Sequence, residues 1–124
     1  MNLNSNNKTQ NEGGYSRDEK ILRLLGLAKR AGRLIVGAEK VVDAARSGLI
    51  SRREGIIVVA AGAAARTKKN IRLAAEEDGI EIVELAADMY EIGKEISGGL
   101  TAAVAVLDKN MASGILNIAG GKEK

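Results

Sequence analysis

The sequence predicts an α/β chain folded as a three-layer α/β/α sandwich around a small four-stranded sheet. Apolar, β-prone runs at residues 33–36, 56–60, 80–85 and 102–107 alternate with segments of helical periodicity. The run at 56–60 is unbroken, as in a strand covered on both faces. A chain of 124 residues with 45% apolar content suits a single core, here built from Ile, Val, Leu and Ala because Phe and Trp are absent.

Each element has a local cause. Residues 1–15 are rich in Asn, Gly and Ser without apolar periodicity, and read as a flexible tail. Ser16 followed by Glu19 has capping-box spacing, and Ile21, Leu24, Leu25 and Ala28 then share one helical face. Lys29 and Arg30 stand in the last turn before Gly32, where cations and a left-handed stop belong. After the run at 33–36, Gly37 turns the chain into a second helix expected to end at Gly48, with Glu39 near its start and Arg46 near its end. Past the second strand, Thr67 reads as the N-cap of a third helix reaching about Asp78, with Gly79 closing it. Asp88 and Glu91 repeat the capping spacing ahead of a helix over 89–96, and Asp108 caps a last helix through Ile118. The domain is therefore expected over 16–118, with 119–124 frayed.

Composition excludes several chemistries. With no Cys there is no disulfide, thiolate nucleophile or Cys-ligated metal, and with no His the commonest general base and metal ligand is missing. The acids fall at helix ends, where capping accounts for them, so neither catalysis, a cofactor nor a metal is expected. No run approaches a membrane span and the N-terminus is polar, which predicts a cytoplasmic protein.

Charge is uneven beneath a net +3. Residues 17–53 carry ten cations against four acids, residues 66–72 four against none, and residues 73–95 one against eight. A basic face suits a phosphate backbone; an ordinary mixed surface is the plainer reading. The third helix crowds Arg66, Lys68 and Lys69 at its start and Glu76, Glu77 and Asp78 at its end, against its dipole. Either a phosphate partner or neighbouring acids account for those cations. Lys29, Arg30 and Arg33 surround the approach to Gly37, which is open to an anion-binding role or to a plain helix cap. Ser97, Gly98 and Gly99 allow close backbone approach but lack the full phosphate-loop pattern. With Tyr15 and Tyr90 as the only aromatics, a base-stacking sheet is disfavoured, and RNA recognition would rest on shape, amides, cations and aliphatic contacts.

The run Ile21-Leu22-Arg23-Leu24-Leu25-Gly26-Leu27-Ala28-Lys29-Arg30-Ala31-Gly32, then Val36-Gly37 and residues 44–48, resembles the opening of the ribosomal L-seven-Ae/L-thirty-e family, especially its bacterial YlxQ-like branch. Ile56, Thr67-Lys68-Lys69, Gly79, Ile92-Gly93-Lys94, and Val104-Ala105-Val106 with Asp108 follow in the family's order, so the resemblance spans roughly residues 20–116. It implies an α/β/α sandwich with a mixed sheet, and a non-catalytic, ribosome-associated protein that binds kink-turn or other structured RNA. By position, the implied contacts lie in residues 37–43 and 97–101. Together with the basic approach, the candidate RNA-binding residues are Lys29, Arg30, Arg33, Gly37, Lys40, Ser97, Gly98, Gly99 and Leu100.

Three positions depart from the kink-turn pattern. Glu39 stands where such proteins usually carry Asn or Lys, Lys40 where they carry Glu or Gln, and Asp43 where they carry Lys. Two acids facing RNA would repel phosphate, so either the RNA differs or the helix turns its acids aside. A protein-interaction module that keeps the fold without RNA is the alternative. A relative of the substrate-recognition domain of RNA methyltransferases is a weaker third reading, since the chain carries no cofactor domain.

Overall fold

The sheet runs in the order β1-β4-β2-β3, with β1 at Leu34–Val36, β2 at Ile56–Ala61, β3 at Ile82–Asp88 and β4 at Ala103–Val106. These coordinates are a computed structural model that describes residues 16–96 and 98–120. The expected tail at 1–15 and the end at 121–124 lie outside the described residues. β4 is antiparallel to both neighbours, Val36 opposing Val104 and Val58 opposing Val104 from the other side, while β2 and β3 are parallel. The sheet is therefore mixed.

Strand alternation sorts the core into two halves. Ile56, Val58, Ala60, Val104 and Val106 face one helical layer; Ile57, Val59, Ala103 and Ala105 face the other. The first layer comprises α1 (Arg17–Arg30), α5 (Met89–Ile96) and α6 (Lys109–Gly120), which bury Ile21, Leu25, Ile92 and Ile115. The second comprises α2 (Ala38–Arg46), α3 (Leu49–Arg52) and α4 (Ala65–Glu76), which bury Val41, Ile50, Ile71 and a set of alanines. Burying one such Ile or Leu contributes about 1.5–3 kcal/mol, so these residues fix which face of each helix turns inward. Among the described residues no helix is long and apolar enough to cross a membrane.

Capping expectations hold where a side chain does the capping. Glu19 N–H donates to Ser16 Oγ and Ser16 N–H to Glu19 Oε1, both at 3.1 Å. Glu91 N–H donates to Asp88 Oδ1 and Asp88 N–H to Glu91 Oε1, both at 2.9 Å. Met111 N–H donates to Asp108 Oδ1 at 2.8 Å.

Boundaries differ where no such signal exists. The third long helix, α4, does not start at Thr67: its N-cap is Ala64, and Thr67 lies within the first turn. No residue near 64 can cap with a side chain, so buried Ala63 and the face of Ile71, Ala74 and Ala75 set the start instead. The second helix stops at Arg46, and left-handed Gly48 opens the short α3, whose cause is fully buried Ile50. β3 begins at Ile82 and runs to Asp88, because Ile80 N–H still closes α4 on the Ala75 carbonyl at 3.0 Å. The last helix continues through Gly120, so residues 119 and 120 are helical, not frayed.

Candidate nucleic-acid interface

Because β1, β2 and β3 point the same way and β4 the other, the C-terminal ends of the first three meet the N-terminal end of β4. At this upper end the chain enters α2, α4 and α5, and the 98–102 loop feeds β4. Three consecutive residues tie these crossovers together. Thr101 N–H donates to the Met89 carbonyl at 3.1 Å, Ala60 N–H to the Ala102 carbonyl at 2.9 Å, and Gly37 N–H to the Ala103 carbonyl at 2.9 Å. Two turns far apart in sequence are thereby held side by side.

Gly37 makes its turn at φ +108, a conformation that disfavours any side chain. Its own amide is spent on Ala103, but the first turn of α2 has no side-chain cap. α4 likewise starts without one. Both helices thus end at the upper surface with first-turn amides that no side chain caps, the arrangement that accepts anions.

The loop lies flat on α5. Gly98 N–H donates to the Gly93 carbonyl at 2.6 Å, and the Gly99 carbonyl occupies the space a Cβ on Gly93 would need. Thr101, 5% exposed, donates its hydroxyl to the Gly99 carbonyl at 3.0 Å. Leu100 projects from this loop at 71% exposure. Ser97 lies outside the described residues.

The cations of the first third divide. Lys29 Nζ donates to the Ile96 carbonyl at 3.2 Å, closing the end of α5 next to the loop. Arg30 is exposed on α1, and its Nη1 and Glu95 Oε2 both lie within 4 Å of where a Gly26 Cβ would sit, so a carboxylate neighbours it. Arg33 belongs to the other end: its Nη1 pairs with Asp108 Oδ2 at 3.0 Å and its carbonyl accepts from Leu107 N–H. The length of β1, about 13 Å from residue 33 to 37, separates it from Gly37.

On α2, Glu39, Lys40, Asp43 and Arg46 are all exposed. Lys40 and Asp43 line a groove along the outer edge of β1, whereas Glu39 and Arg46 line one between α2 and α4 with Thr67 and Asn70. Each acid thus shares its groove with a cation. On α4, Lys68 pairs with Glu84 at 3.1 Å, which accounts for one of the three cations opposing the dipole. Arg66 and Lys69 are exposed and make no ion pair among the described residues. The start of α4 is the part of this end that the candidate residues omitted; the reversed charge order of the helix was its signal. No cluster of three or more Asp or Glu among the described residues could hold a metal.

No family model matches this chain, and no curated protein sequence does. Solved structures do match. A protein of unknown function from Bacillus halodurans superposes with a TM-score of 0.72 at 25% identity, over 82% of this chain and 97% of that one. The 15.5 kD RNA binding protein of Giardia lamblia superposes with a TM-score of 0.66 at 16% identity, over 90% of this chain and 89% of that one. The α/β/α fold is common to all three.

Proposed function

We propose that this chain is a non-catalytic RNA-binding protein that works with ribosomal or similarly structured RNA in the cytoplasm, and that RNA meets its upper end. The observation that carries the reading is the hydrogen bond from Gly37 N–H to the Ala103 carbonyl, which sets the open start of α2 against the glycine loop. The surface so formed offers side-chain-free backbone at Gly98 and Gly99, the aliphatic Leu100, and cations at Lys40 and Arg66, the mixture that suits a bent or bulged RNA backbone. That the Giardia neighbour binds RNA supports the choice of ligand. Lys29 acts here by fixing the loop, and Arg33 stands outside the surface.

Titrating the protein with ribosomal RNA fragments and a kink-turn hairpin at two salt concentrations tests this. Affinity should fall with salt, at a log–log slope of about 0.9 for each phosphate neutralised. Arg66→Glu should weaken binding to every RNA and flatten that slope, whereas Arg33→Gln should leave both unchanged. Absence of salt-dependent binding to any of these RNAs defeats the reading. Co-sedimentation with ribosomal subunits then distinguishes a ribosomal RNA from other structured RNA.

A second reading, a protein-interaction module of the same fold, is favoured by exposed Glu39 and Asp43 on α2. It calls for a protein partner whose capture survives nuclease treatment.

A further inference from the structure

We propose that a second copy of this chain docks on the outer edge of β1, the two strands running antiparallel about a twofold axis at Ile35, so that two four-stranded sheets join into one. The inference goes beyond the RNA-binding reading and does not depend on it.

The two edges of the sheet are finished differently. β3 is closed by the start of α1: Arg17 Nη2 donates to the Glu84 carbonyl at 3.3 Å, and Asp18 takes the N–H groups of Ala86 and Ala87. Exposed Glu84 and Asp88 add charge along it. β1 has no such guard. Its bonds to β4 come from alternate residues, since Leu107 N–H donates to the Arg33 carbonyl and Gly37 N–H to the Ala103 carbonyl, with Ile35 opposite Ala105 between them. The antiparallel pattern therefore turns the N–H and C=O of Leu34 and Val36 outward, where no described residue meets them. Leu34, Ile35 and Val36 are half-buried and apolar, without the charge, Pro or bulge that deters an incoming strand.

Register and charge both select a second copy as the occupant. With the axis at Ile35, Leu34 of each copy exchanges backbone bonds with Val36 of the other, so every outward group of this short strand is used. Such an axis stands perpendicular to the sheet and keeps its faces: Leu34 meets Val36 on the α1 side, and Ile35 meets Ile35 on the α2 side.

Lys40 and Asp43 flank the same groove, are exposed, and make no ion pair among the described residues, not even with each other. Ile35 lies about 7 Å along the strand from Gly37, and α2, returning at about 1.5 Å per residue, reaches that level midway between Lys40 and Asp43. The twofold axis thus sets Lys40 of each copy against Asp43 of the other. Since α2 packs on both β1 and β4, the two copies of α2 would run about 10 Å apart, an ordinary spacing for packed helices. Asp43, an acid ill-suited to RNA, gains a partner in this way.

The test reads mass in RNA-free protein, because Lys40 is shared with the proposed RNA surface. Sedimentation equilibrium from about 1 µM to 1 mM covers the weak affinities of so small an interface, and monomer should pass into dimer across it. Asp43→Lys and Lys40→Asp, each of which sets like charges together, should each weaken pairing about tenfold or more. Mixed in equal amounts, the two variants should pair with each other and recover the affinity of the parent. Both positions are exposed, so neither change should move Tm by more than about 3 °C. Register is read separately. The chain has no Cys, and Cα atoms about 4.5 Å apart across the axis lie within disulfide reach, so Ile35→Cys should oxidise to a covalent dimer where Ser51→Cys does not. A chain that stays monomeric up to 1 mM overturns the proposal and leaves the edge to another protein's strand. A dimer indifferent to both charge variants, or one that Ile35→Cys does not lock, pairs through another surface and overturns it equally. Either failure leaves the RNA-binding reading standing, since no RNA enters the measurement.

Discussion

The two helical layers are finished in opposite ways. On the side of α1, α5 and α6, every helix start is closed by its own side chain, Ser16, Asp88 or Asp108. The Asp18 carboxylate extends the same practice to the sheet, accepting from both Ala86 and Ala87 N–H at 2.7 Å. On the side of α2 and α4, the helix starts have no side-chain cap, and one of them carries cations where its dipole favours acids. Closing a helix contributes about 1 kcal/mol, so the second layer forgoes stability that the first one takes. The difference teaches where to look for a partner: the open layer is the one whose groups a ligand can satisfy.

Breaking the closed layer should have the largest effects. Asp18→Ala strands two backbone N–H groups on β3 and should cost about 2–4 kcal/mol by urea denaturation, because each bond is made to a charged acceptor. A loss of under 0.5 kcal/mol would mean water replaces the carboxylate without penalty. Asp108→Ala removes both the α6 cap and the partner of Arg33, an exposed pair worth little by itself, so about 1–2 kcal/mol should go, most of it from the cap. Asp108→Ser, which retains a cap but not the pair, should recover most of it. The smallest effect sharpens the comparison from the other side. Ala64 already has the extended geometry of a cap (φ −59, ψ 146), so Ala64→Asp should stabilise the protein by about 0.5–1 kcal/mol while weakening RNA. Gain in stability without loss of RNA would show that the start of α4 is not part of the surface.

How far each feature could be read from sequence follows the same division. Ser16 with Glu19, Asp88 with Glu91, and Asp108 announced the starts of three helices, because a cap is a local pattern; the end of the last, expected at Ile118, lies at Gly120. α4 has no cap to announce it, and Thr67, the nearest residue of the right type, drew its predicted start inward. α3 rests on the burial of Ile50, which no local periodicity reveals. The glycine turn and glycine loop came together through the resemblance rather than through spacing, since only the strand order makes Gly37 a neighbour of Ala103. The same order sent Arg33 to the far end, although it lies only four positions from Gly37 in the chain. Proximity in sequence misled there because an extended strand, however short, carries its two ends to different sides of the molecule. The reversed charge of α4 was legible, but its division into Lys68, paired with Glu84, and Arg66 and Lys69, which make no ion pair among the described residues, required β3 to be placed alongside.

Residues 101, 102 and 103 make their bonds to three different crossovers, and this gives the tripeptide the role of a keystone. Pressure on the loop tip ahead of it cannot be absorbed by a single hinge, since each successive peptide leans on a separate strand end. The shape presented at residues 98–100 is consequently inherited from the whole sheet rather than chosen by the loop, and a substitution deep beneath any one of those crossovers can re-aim the tip without touching it.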